Sequence, residues 1–161
     1  MRTIAIVGFS NSGKTTVGAA IVAEACRRGL KAAVIKVGHP TATAQPASSP
    51  QPPMRDSDRL AAAGADPAVF RTPAGWQLQL AQPLEDRDQP LHIPAWLNLA
   101  LAGVDLLVVE GRRVEGAPLV QTVGADGACK VAREQCDLVL ENVPYDPLPA
   151  HLLNLIGFSA D

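Results

Sequence analysis

The run Gly8-Phe9-Ser10-Asn11-Ser12-Gly13-Lys14-Thr15 constrains this chain more than any other stretch. It fits G-x-x-x-x-G-K-[ST] at every fixed position. Glycine at 8 and 13 opens backbone conformations closed to residues with a Cβ, so successive N–H groups can turn inward on one anion. Before the run, Thr3 to Val7 is apolar and β-branched without alternation, which suits a central parallel strand buried on both faces. After it, Thr15 to Arg28 repeats Val17, Ala20, Ile21 and Ala25 at helical spacing. The basic pair Arg27–Arg28 suits the negative end of that helix, and Gly29 suits a left-handed stop. A loop held between a buried strand and an amphipathic helix commits the chain to an α/β architecture.

This cradle assigns phosphate contacts to Gly8, Ser10, Asn11, Ser12, Gly13, Lys14, Thr15 and Thr16. The helix start adds unpaired amides and the positive end of its dipole. Lys14 reaches the β- and γ-phosphates as a point charge and is the candidate catalytic residue. The Thr15 hydroxyl is placed for Mg²⁺, and the Thr16 amide for the α-phosphate. A metal needs a second, acidic partner. Asp105-Leu106-Leu107-Val108-Val109-Glu110-Gly111 supplies Glu110 at the carboxyl end of an apolar strand, the edge where ligands bind in parallel sheets. Asp105 lies at the opposite end and is the worse candidate.

The remaining segments extend the α/β pattern. Lys31 to Val37 reads as a second strand. Residues 40–53 hold five prolines and no charge, which predicts a mobile loop. Asp56 is a cap for a short helix over Ser57 to Ala63, stopped by Gly64. Ala68 to Gln82 predicts a hairpin turning at Thr72–Gly75, and a charged loop over 85–88 follows. Pro94 opens a helix through Leu101 that Gly103 ends. Val104 to Val109, Leu119 to Val123 and Leu138 to Leu140 read as strands, and Leu148 to Ile156 as a last helix. The expected structure is one nucleotide-binding domain over residues 1–161. Its fold is α/β, P-loop NTPase-like and three-layered, with a mainly parallel sheet and a β-hairpin insertion.

Fourteen Lys and Arg against sixteen Asp and Glu give a net charge of −2. That argues against nucleic acid or a membrane surface as partner, since both reward excess positive charge. No apolar run is long enough to span a bilayer, and the N-terminus carries no secretory pattern. Cys26, Cys129 and Cys136 are too few and too irregularly spaced for a disulfide framework or a zinc site, and fit free thiols in a reducing cytoplasm.

Four blocks in order carry a more specific resemblance: Gly8 to Thr16, Ile35-Lys36 with His39, Asp56-Ser57 before Ala63-Gly64-Ala65, and Val108-Val109-Glu110-Gly111. Over roughly residues 1 to 115 the chain resembles the molybdopterin-guanine dinucleotide biosynthesis protein B family. The resemblance implies a small homodimeric protein that binds GTP with Mg²⁺ and hydrolyses it slowly at best. It also implies a partner, the guanylyltransferase that joins GMP to molybdopterin. The chain departs from the family in its middle. Lys36-Val37-Gly38-His39-Pro40 replaces a His- and Asp-rich opening, Met54-Arg55 replaces Gly-Lys, and Arg112-Arg113 replaces an aromatic-Lys pair. These losses bear on hydrolysis more than on binding.

Other candidates stay open on the residues alone. Lys36 ends a strand near the cradle, either facing a phosphate or solvated. His39 is a phosphate or metal contact or a loop histidine, and Asp56 is a cap that could also face the nucleotide. Arg55 and Arg113 could make bidentate phosphate contacts. His92 and His151 lack partner spacing. Trp76 and Trp96 fit core or interface anchors better than base-stacking platforms. No Asn-Lys-x-Asp run reads guanine, so GTP over ATP rests on the resemblance, with Asn142 of Glu141-Asn142-Val143-Pro144 a weak purine contact. Phe9 stands where partitioning-type ATPases carry a lysine. The alternative function is a small-molecule kinase that holds ATP in the same cradle, with Arg112–Arg113 as an anion clamp.

Overall fold

β1 (Arg2–Val7) is buried on both faces because its side chains alternate between two cores, each apolar. Ile4 and Ile6 join Leu106, Val108, Val120 and Leu140 on one face, and Ala5 and Val7 turn to the other. The computed structural model describes residues 1–37, 68–72, 75–79 and 89–158, the two segments between 68 and 79 by their backbone alone. The chain divides into two units, Met1–Gly38 with Asp86–Asp161, and His39–Glu85.

The first unit holds a five-stranded sheet in the order β2-β5-β1-β6-β7, every pairing parallel. Its strands are β1, β2 (Ala32–Lys36), β5 (Leu106–Glu110), β6 (Leu119–Val123) and β7 (Leu138–Glu141). β5 and β6 are buried at every position, as central parallel strands require. Among the described residues three helices flank the sheet: α1 (Lys14–Arg27), α2 (Ala95–Ala100) and α3 (Ala150–Leu155). α1 and α3 cover one face through Val17, Ile21, Ala25, Leu152 and Ile156. On the other face Leu97 of α2 packs with Leu91 and Ile93 over Leu107 and Val109. The result is the expected three-layer α/β fold. Each buried Ile, Leu or Val contributes about 1.5–3 kcal/mol, and this two-sided burial holds the strand ends that form the site.

The second unit contains the expected hairpin: β3 (Ala68–Thr72) pairs antiparallel with β4 (Gly75–Gln79), Thr72 opposite Gly75. The proline-rich stretch 40–53, the Asp56 cap with its helix, Arg55, His39 and the charged loop at 85–88 lie outside the described residues.

Helix ends follow the local chemistry. α1 closes with the Gly29 N–H on the Cys26 carbonyl (2.9 Å) and the Leu30 N–H on that of Ala25 (3.0 Å), a paired closure that lets Leu30 fold back onto the core. α3 ends in the same way, through Gly157 and Phe158. It starts later than the expected Leu148. Pro149 takes the cap position in an extended conformation, and a residue preceding proline is driven out of helical geometry. The apolar pattern alone does not register that restriction. A single turn of 3₁₀ helix at Arg133–Gln135 carried no expectation either.

Gly18 lies on the buried face of α1. A Cβ there would meet Ile6 Cδ1 and Val108 Cγ1 at 3.7 Å, ordinary contact distance. Glycine inside a helix costs roughly 0.5–1 kcal/mol relative to alanine. Gly18→Ala is therefore expected to stabilise the protein by about that amount in urea unfolding. A loss of stability would show that α1 sits closer to the sheet than described.

Candidate functional site

The carboxyl edge of the sheet gathers the candidate residues. Register sets Ile6 of β1 and Lys36 of β2 on either side of Glu110 in β5. The loop 8–13 leaves β1 at that edge and enters α1. Gly13 precedes the helix at φ 89°, and a Cβ on it would lie 2.7 Å from Val143 Cγ1. At Gly8 a Cβ would fall 2.5 Å from both Ser12 Oγ and the Thr122 carbonyl. Asn11 takes φ 60°, a left-handed conformation that asparagine tolerates better than most residues. Both motif glycines are thus required sterically, each by a neighbour from a distant strand or loop.

Inside the loop, Lys14 Nζ donates to the Phe9 carbonyl at 2.6 Å, and the Ser12 N–H donates to the same oxygen at 3.3 Å. The Val17 N–H donates to the Gly13 carbonyl (3.0 Å). The amides of Lys14, Thr15 and Thr16 therefore stand ahead of the helix ladder, as the first-turn donors of any helix do. No side chain caps this end. Ser12, buried, shares a 2.7 Å hydroxyl–hydroxyl bond with Thr122, also buried, and Thr122 Oγ1 donates weakly to the Val7 carbonyl (3.4 Å). Strand β6 thereby fixes the loop to the end of β1.

At the foot of the loop the Thr15 hydroxyl donates to both carboxylate oxygens of Glu110, at 2.9 and 3.0 Å. Lys36 Nζ donates to Thr15 Oγ1 (3.2 Å) and lies 3.2 Å from Glu110 Oε1. Glu110 is only 6% exposed. A hydroxyl and a carboxylate are hard oxygen donors of the kind Mg²⁺ takes, with phosphate and water completing its shell. An ammonium already bonded to both of them shows that their geometry accepts a cation. Among the described residues no three His, Cys, Asp or Glu cluster as a self-sufficient metal cage.

Burial holds the Lys14 ammonium below its ordinary pKa, Glu110 opposes the shift, and Lys130 and Lys36 add to it. A lowered lysine pKa means that the unfolded chain binds more protons in the window between the two values, so stability rises with pH there. At neutral pH the charge is a cost to the fold, which a bound anion would relieve.

The structure brings Gly8, Ser12, Gly13, Lys14, Thr15 and Glu110 together as expected and puts Thr16 in the first turn of α1. Ser10 and Asn11 lie exposed on the loop. Asp105 stands at the far end of β5, where its carboxylate accepts the Lys31 N–H at 2.8 Å. Arg112 is buried with Nε on the Gln89 carbonyl (2.8 Å), and Arg113 reaches Gln135 (3.4 Å). Asn142 is exposed at φ 57°, next to the Val143 that covers Gly13. Two contributors went unread in the sequence, Thr122 and Val143. The polar pair Gln121-Thr122 inside an otherwise apolar strand is the signal that could have found the first; Val143 left none.

A loop of this construction, rising from a parallel sheet and closed by its own lysine, puts the chain among the P-loop nucleotide-binding proteins. Comparison with known proteins narrows the class. The profile of the family Molybdopterin guanine dinucleotide synthesis protein B matches residues 3–140, and the chain belongs to that family. Similar solved structures include Bacillus subtilis MobB, 24% identical over 92% of this chain and 88% of that one with a TM-score of 0.53, which shows the shared fold. A MobB homologue from Bacillus stearothermophilus is 27% identical over 76% of this chain, with a TM-score of 0.48; the chain spans 64% of its length. No curated protein matches the sequence.

Thr122→Val keeps the shape of the side chain but leaves the buried Ser12 hydroxyl without that partner. A loss of about 1–3 kcal/mol is expected in denaturant unfolding. Unchanged stability would show that Ser12 is not held from β6.

Proposed function

We propose that the chain binds GTP with Mg²⁺, as an accessory protein to the guanylyltransferase of molybdopterin guanine dinucleotide synthesis. The observation that carries the reading is the Thr15 hydroxyl on both Glu110 oxygens beneath a loop closed by Lys14. In this reading the amides of residues 8–16 and the Lys14 ammonium hold the phosphates, and Thr15 and Glu110 hold the metal, which would neutralise phosphate charge. Membership of the family supports guanine over adenine in this reading. Asn142 is the side chain we assign to the purine edge. Hydrolysis is slow in this proposal. The acidic residue at the site, Glu110, is nearly buried and committed to Thr15 and Lys36, so it is not available to orient a water.

The same proposal includes a homodimer and a cytoplasmic setting. Three free cysteines support the latter, and no described helix is long and apolar enough to cross a membrane. A kinase using the same cradle would need Arg112 in its anion clamp, and that guanidinium is buried against Gln89.

Thermal unfolding with Mg²⁺ and GTP, ATP or neither tests the reading. A ligand at about 100 times its Kd stabilises the native state by about 2.7 kcal/mol. GTP is expected to raise Tm more than ATP. Lys14→Ala should abolish the shift. Equal shifts with GTP and ATP, or none, would overturn the assignment of GTP.

Glu110→Gln keeps the shape but not the charge. It should weaken nucleotide binding in Mg²⁺ and leave binding in EDTA nearly unchanged, measured by calorimetric titration. Equal losses in both would remove Glu110 from the metal site.

A further inference from the structure

Lys36 has no part in the phosphate loop, yet its ammonium lies between the two proposed metal ligands. It is 3.2 Å from the Thr15 hydroxyl and 3.2 Å from Glu110 Oε1. The register of β2 against β5 makes Lys36 the Cα partner of Glu110, so the placement follows from the sheet and not from a wandering side chain. The two partners differ in environment. The Glu110 side chain is 8% exposed and that of Lys36 is 59% exposed. A carboxylate so deeply set needs a counter-charge. A lysine with most of its stem in water can supply one and withdraw at little cost.

We propose that Lys36 is an internal counter-ion that stands in for the divalent cation while the nucleotide site is empty and gives up its place when metal and nucleotide arrive. This rests on the reading of Thr15 and Glu110 as metal ligands. Thr15 now accepts the Lys36 N–H and donates its own proton to Glu110. An ammonium and a divalent ion held by the same hydroxyl and carboxylate would repel one another at close range, so Lys36 moves aside. The exchange has two consequences. Lys36 holds the empty site in its binding geometry by neutralising Glu110. It also competes with the metal, so that Mg²⁺ is retained only when phosphates contribute further ligands.

The test compares Lys36→Met and Lys36→Arg with the wild-type chain. In EDTA without nucleotide, Lys36→Met should melt lower than wild type, with Lys36→Arg close to wild type. In saturating GTP, Mg²⁺ is titrated and the thermal shift followed. Lys36→Met should reach its half-point at roughly twofold to fivefold lower Mg²⁺, the range set by an ion pair with one exposed partner. A half-point unchanged or moved to higher Mg²⁺ overturns the proposal, since the lysine would then be a bystander or a phosphate ligand. If Lys36→Met melts lower in EDTA without a change in half-point, the ion pair is structural only and the proposal also falls. Absence of any Mg²⁺–nucleotide shift in the wild-type chain would overturn the nucleotide reading itself, a result distinct from the other two.

Discussion

The parallel register of β1 between β5 and β6 is the constraint from which the site follows. It aligns Ile6 with Glu110 and Val7 with Gln121. One central strand thus delivers the loop, its right-hand neighbour supplies the hydroxyl that fixes it, and its left-hand neighbour supplies the acid beneath it. A shift of one residue would turn every apolar side chain of β1 to the opposite face. Since Ile4 and Ile6 are fully buried against α1 and α3, and Ala5 and Val7 against a different set of side chains, the register is strongly specified. Packing on two faces sets the strand ends, and the Ser12–Thr122 hydroxyl pair then fixes the loop to them.

On that frame the electrostatics divide into two zones that meet at Thr15. Around Lys14 burial, before any neighbouring charge, holds the ammonium below its ordinary pKa, with Glu110 opposing and Lys130 and Lys36 adding to the shift. Around Glu110 the balance is closed, with the carboxylate satisfied by Thr15 and Lys36. In the proposed reading the first zone takes the anion and the second exchanges one cation for another. Thr15 borders both, next to Lys14 in sequence and bonded to Glu110 in space, which is why a hydroxyl at this position matters more than its size suggests.

Much of this was legible in the residues. The glycine-rich loop, the strands on either side of it, the hairpin and the position of Glu110, not Asp105, at the loop end of its strand could be read because each depends on local pattern: motif spacing, runs of apolar β-branched residues, or the end of a strand at which an acid lies. The contacts across the sheet edge could not. Thr122 and Ser12 are 110 residues apart, and nothing in either neighbourhood announces the other. Lys36 could be placed at a strand end but its partner could not be chosen, because that needs the order β2-β5-β1, in which β5 lies between β2 and its predecessor in sequence. Proline shortened α3 by a rule of backbone geometry that acts on single residues beneath the apolar pattern.

The hydroxyl pair of Ser12 and Thr122 has an effect on encounter as well as on folding. Because it is buried and complete within the protein alone, that side of the loop takes its shape during folding and not on contact with a ligand. Ordering a flexible anion-binding segment at the moment of association subtracts from affinity and slows capture. In the proposed reading preorganisation on the β6 side lowers that penalty, and the described contacts left to change are those of the Lys36 side chain on the opposite flank of the cradle.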